Sequence, residues 1–72
     1  MDLLGFLRLR PRLDDDEAKL VALIGRGPRP QKALLADSGF NPVKFNRVLR
    51  RLEELGVVRR EPRGRENVVR RL

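Results

Sequence analysis

The sequence has no cysteine and no histidine among its 72 residues. Without cysteine there is no disulfide to staple a small fold, and no thiolate to hold a metal. Without histidine the commonest general base and metal ligand are missing as well. Tryptophan and tyrosine are also absent, and the only aromatics are three phenylalanines. Proteins that grip single-stranded nucleic acid stack bases on exposed aromatic rings, so that class is poorly served. No apolar run approaches the ~20 residues of a membrane-spanning helix. The opening Met1-Asp2-Leu3-Leu4-Gly5-Phe6-Leu7 carries an acid where a secretory leader needs basic residues. These absences point to a cytoplasmic chain with no membrane contact, metal or cofactor. No nucleophile–base pair suggests an enzyme.

What the chain has in excess is arginine. Lys and Arg number 17 against 10 Asp and Glu, for a formal charge of +7. The excess is uneven: residues 1–40 carry seven basic against six acidic side chains, and residues 41–72 carry ten against four. A nearly neutral first part suits packing, and a strongly basic second part suits a polyanion. With 40% hydrophobic and 38% charged residues, the chain is globular rather than disordered, with a small core.

Residues 1–13 form a leucine-rich arm ending in Pro11-Arg12-Leu13. Such an arm is expected to bury itself on its own core or on a second copy of the chain. Residues 14–72 read as the domain proper. A first helix is predicted after Asp14, because Asp14 and Glu17 stand at capping-box spacing. Asp15, Asp16 and Glu17 place negative charge at the positive end of the helix dipole, which accounts for the acidic run better than a cation site does. Leu20, Leu23 and Ile24, with Val21 at the edge, make the inward stripe, and Gly25, Gly27, Pro28 and Pro30 stop the helix.

A second helix is predicted from Pro30 to Asp37 or Ser38, with Ala33, Leu34 and Leu35 packing inward and Gly39 closing it. Only Gly39 and Phe40 separate it from a third helix, which spans residues 41–55. Phe40 reads as an inward plug, Asn41 as the cap and Pro42 as a first-turn residue. A step of about 100° gathers Phe45, Val48, Leu49, Leu52 and Leu55 into one sector. Val43, Lys44, Asn46, Arg47, Arg50, Arg51 and Glu54 lie around the rest. Beyond Gly56, residues 57–71 hold two β-branched runs about the turn Pro62-Arg63-Gly64-Arg65, which predicts a hairpin. The expected fold is mainly α with a small β-hairpin, a three-helix core carrying a β wing: a winged helix-turn-helix.

That order of elements suits double-stranded DNA. A major groove about 12 Å wide admits one helix with its side chains. The early part of the third helix reaches base edges in such docking. Val43, Lys44, Asn46 and Arg47 are therefore the readout candidates, with Arg47 suited to guanine, Asn46 to adenine and Val43 to a thymine methyl. Arg50 and Arg51 lie further along and suit phosphate. Arg63 and Arg65 at the hairpin tip suit the negative potential of a narrow minor groove. Arg29, Gln31 and Lys32 at the start of the second helix are phosphate candidates, aided by the helix dipole.

From about Leu13 to Leu72 the sequence resembles the winged helix-turn-helix core of bacterial and archaeal regulators of the multiple-antibiotic-resistance (MarR) type. The Gly39–Phe40 turn, Asn41-Pro42, Arg47, Leu49, Arg51-Leu52-Glu53-Glu54, Gly56-Val57-Val58 and the wing Arg59-Arg60-Glu61-Pro62-Arg63-Gly64-Arg65 carry the likeness. The resemblance implies sequence-specific binding of double-stranded DNA and a role in transcription regulation. It places Val43, Lys44, Asn46 and Arg47 at bases and Arg63 and Arg65 in the minor groove. Full-length members of that family carry long helices for dimerisation and effector binding, which these residues do not include. They also have a short strand before the second helix, where Gly27-Pro28-Arg29-Pro30 is expected to weaken pairing. Residues 1–13 are the candidate interface for a homodimer. The alternatives are a winged helix that docks on protein within a larger assembly, and a binder of structured RNA.

Overall fold

The computed structural model describes residues 13–25 and 27–72. The expected arm therefore lies outside the described residues, except for Leu13, which packs against the core. Helix α1 spans Asp15–Ile24 and opens on the expected capping box. The Asp14 carboxylate accepts from the Glu17 amide at 2.8 Å, and the Asp14 amide donates to Glu17 Oε1 at 2.9 Å. Leu20 and Ile24 are buried, while Val21 and Leu23 pack at the margin of the core.

A two-residue strand, β1 (Arg29–Pro30), leads directly into α2 (Gln31–Ser38). The prolines expected to weaken pairing leave a strand of two residues, in which Arg29 faces Val69 and Pro30 faces Val68. The strand order is β1-β3-β2, so β1 lies at an edge, where a missing amide hydrogen is tolerated. The Arg29 side chain also ties the strand down, donating to the Leu23 carbonyl at 3.0 Å and to Asp37 Oδ2 at 2.8 Å.

Between α2 and α3 (Pro42–Glu54) the chain turns at Gly39, whose φ of 72° is left-handed, a conformation glycine adopts without a Cβ penalty. Ser38 is fully buried. Its hydroxyl donates to the Leu35 carbonyl at 2.8 Å and accepts from the Phe40 amide at 3.1 Å. Asn41 caps α3 by accepting from the Lys44 amide at 2.8 Å, and Pro42 occupies the first turn. Phe40 is only half-buried, and its ring carries the ammonium groups of Lys19 and Lys44 at 5.1 and 4.7 Å. The expected plug is thus a ring with one side on the core and another under two lysines.

Phe45, Val48, Leu49 and Leu52 of α3 are buried against Leu20, Ile24 and Leu34, and the sheet adds Val58 and Val69. The helix ends with the Gly56 amide on the Glu53 carbonyl and the Val57 amide on the Leu52 carbonyl, both at 3.0 Å. This paired arrangement satisfies carbonyls that the helix end leaves free. Strands β2 (Val58–Arg63) and β3 (Glu66–Arg71) pair antiparallel from Val58–Arg71 to Arg63–Glu66. Their two-residue loop has positive φ only at Gly64, 61°, which fits a type II′ turn. Three helices and a three-stranded antiparallel sheet make up the winged helix-turn-helix expected from the sequence.

Candidate nucleic-acid interface

The polar side of α3 divides into three strips once its neighbours are in place. Lys44 and Arg51 lean toward α1: Lys44 Nζ lies 3.2 Å from Asp16 Oδ2, and Arg51 Nε lies 3.7 Å from Glu17 Oε2. Glu53 leans the other way and pairs with Arg60 of β2. Between these flanks runs a ridge of Val43, Asn46, Arg47 and Arg50, all exposed. Among the described residues none of these three polar side chains forms an ion pair. Val43 near the start of the helix is 80% exposed.

The readout candidates are therefore not equivalent. Val43, Asn46 and Arg47 stand together on the outer ridge, with Arg50 one turn further on. Lys44, expected among them, is half-buried and held by Asp16 and the Phe40 ring. Sequence spacing alone could not separate it from the ridge, because its partner comes from α1. Arg51 is exposed enough to meet a phosphate, although Glu17 competes for it.

The hairpin places a second basic region beside this ridge. Arg63 and Arg65 are exposed at its tip. Arg60, which sequence reading did not single out, proves closer to α3. Residues opposed in an antiparallel pair share a face, so Arg60, opposite the fully buried Val69, projects from the inward face of the sheet. Strand alternation counted from Val58 carries that signal. Arg60 lines a concavity of about 400 Å³ with Asn46, Arg47 and Arg50.

The start of α2 offers less than expected. Arg29 is committed to Leu23 and Asp37, so the structure uses it to hold β1 rather than leaving it to a ligand. Lys32 is exposed. Gln31 is half-buried, and its Oε1 finds no hydrogen-bond partner. Both line a smaller concavity, about 240 Å³, that also touches Arg65 and Asn67 of the wing. Arg65 thus stands beside Lys32 across this concavity, while Arg63 is exposed at the tip of β2.

Neither protein-family models nor curated proteins give a match to this chain. A solved structure does: the crystal structure of a possible transcriptional regulatory protein, fragment 1-100, from Mycobacterium bovis. The match has a TM-score of 0.76 at 20% identity and covers 96% of this chain and 76% of that one. At that identity the likeness establishes a shared fold. Among the described residues, no helix is long and apolar enough to cross a membrane.

Proposed function

We infer that the chain is a sequence-specific binder of double-stranded DNA that acts in transcription regulation. In this reading α3 lies in the major groove and the β2–β3 wing approaches the adjacent minor groove. The observation that carries it is the ridge of Val43, Asn46, Arg47 and Arg50. Its side chains are exposed and, among the described residues, form no ion pairs. They are the types that read and hold duplex DNA: a guanidinium for guanine, an amide for adenine and a methyl-bearing side chain for thymine. Arg51, Lys32, Arg63 and Arg65 supply phosphate and minor-groove contacts. The likeness to MarR-type regulators and the regulator fragment of matching fold are in keeping with this assignment.

A helix that docks in a protein groove does so through its apolar face. On α3 the one large apolar side chain that is strongly exposed is Val43, so the face is better suited to a polyanion. The deep, narrow major groove of A-form RNA does not admit a helix, which favours DNA over structured RNA. One module of this size buries only about 600–1,000 Å², so tight specific binding calls for a second copy on a two-fold site. Of the arm at residues 1–13, Leu13 packs on the core, and residues 1–12 are the segment we assign to that homodimer contact. Sedimentation of the chain with and without residues 1–12 tests it: the full chain should form dimers and the shortened one monomers.

The binding test is a titration of wild type, Arg47→Ala and Arg63→Ala against genomic duplex fragments at two salt concentrations. With about 6–8 phosphate contacts, the log–log salt slope of the wild type should be about −5 to −7. Both substitutions should weaken binding. Unchanged isotherms for both would remove the docking mode.

A further inference from the structure

We propose that the cleft between α3 and the base of the wing is a phosphate site, and that Arg60 exchanges Glu53 for a DNA phosphate when the duplex binds. The proposal rests on the DNA-binding reading above and names what that reading leaves open. Arg47 and Arg50 approach the cleft from α3, Arg60 from β2, and Asn46 adds an amide. Three guanidinium groups around one concavity repel one another unless an anion lies between them. The Glu53 carboxylate neutralises only one, through its ion pair with Arg60.

The geometry of the duplex identifies the anion. A helix in the major groove and a wing in the neighbouring minor groove straddle one sugar-phosphate strand, because that strand is what separates the two grooves. The strand must cross the gap between α3 and β2, where this cleft opens. Arg50 and Arg60 then face a phosphate from two sides, while Asn46 and Arg47 line the same cleft with their polar ends left to the base edges. The side chains of Arg60 and Glu53 are 29% and 31% exposed, so their pair is accessible to a competing anion. Glu53 sits in the last turn of α3, beside the site without lining it, and restrains affinity by holding Arg60. The same exchange gives the wing a reason to be fixed before binding: Arg60 is already oriented toward α3 when the phosphate arrives.

The experiment compares Arg60→Ala with Arg59→Ala, and Glu53→Gln with Glu54→Gln, on a duplex that wild type binds. Arg59 and Glu54 are exposed neighbours whose substitution changes the net charge equally. Arg60→Ala should weaken binding about fivefold to twentyfold and make the log–log salt slope shallower by about 0.9, with Arg59→Ala well short of both. Glu53→Gln should tighten binding about twofold to fivefold, the worth of the ion pair it removes, with a smaller gain for Glu54→Gln. A gain cannot come from a damaged fold, so Glu53→Gln decides the matter even if Arg60→Ala is poorly folded.

If Arg60→Ala and Glu53→Gln both weaken binding with the slope unchanged, the pair is a brace for the hairpin and the phosphate site is refuted. If Arg60→Ala matches Arg59→Ala while wild type binds duplex, the site fails and the DNA-binding reading stands. If wild type binds no duplex at about 50 mM salt, where phosphate contacts are strongest, both fail together.

Discussion

At the scale of single residues, Arg47 and Lys44 show how neighbours divide similar side chains between binding and folding. Both carry a cation on α3, three positions apart. Arg47 stands on the outer ridge and borders the cleft toward the wing as well as the surface around Val43. Lys44 bends toward α1, with Asp16 at 3.2 Å and the Phe40 ring beneath its ammonium. Arg47→Ala should therefore lower affinity by about 1–3 kcal/mol and relax the preference at one base pair. Lys44→Ala should cost roughly 1 kcal/mol of stability or less, since its pair is partly exposed. It should change affinity far less than Arg47→Ala does. Binding isotherms and melting curves of the two variants check this; equal losses of affinity would return Lys44 to the ridge.

At the scale of elements, the turn between α2 and α3 sets the angle at which the ridge is presented, and two residues hold it. Apart from the adjoining residues, no atom lies within 4 Å of where a Gly39 Cβ would stand. The cost of Gly39→Ala is then backbone strain alone, about 1–2 kcal/mol. Ser38→Ala would leave the Phe40 amide without its partner inside the protein, at a cost of about 1–3 kcal/mol. Urea unfolding should show losses of that size for both, and a Ser38→Ala variant as stable as wild type would mean that the hydroxyl is dispensable. The helices, their caps and the hairpin were legible in the sequence, because capping residues, glycines and apolar periodicity are local signals. Three features were not. Strand β1 depends on an edge position that only the assembled sheet defines. The burial of Ser38 depends on how tightly the turn folds back on α2. The division of the α3 polar face depends on carboxylates from α1 and an arginine from β2. Of the candidate site, the ridge could be read from the sequence. The cleft toward the wing could not, because Arg60 is distant in the chain from Arg47 and Arg50.

For the whole molecule, stability and binding are linked through α3. One side of that helix supplies Phe45, Val48, Leu49 and Leu52 to the core, and the other supplies the ridge. A domain of this size holds about 4–11 kcal/mol of stability, with no disulfide to add to it. Phe45 is 1% exposed, so Phe45→Ala should remove about 3–5 kcal/mol and lower the melting midpoint by at least about 12 °C. A ligand that binds only the folded form opposes such a loss. Duplex at about 100 times its dissociation constant contributes about 2.7 kcal/mol, which should raise the midpoint of wild type, and of Phe45→Ala, by about 10–20 °C. Added salt should abolish that rise, because it dissociates the phosphate contacts. In the double variant Phe45→Ala, Arg47→Ala the same duplex concentration should restore less, by the amount of affinity Arg47 contributes. Differential scanning fluorimetry with and without duplex measures all of these. If duplex leaves the wild-type midpoint unmoved at low salt, the basic face of α3 is not a DNA surface, whatever the fold.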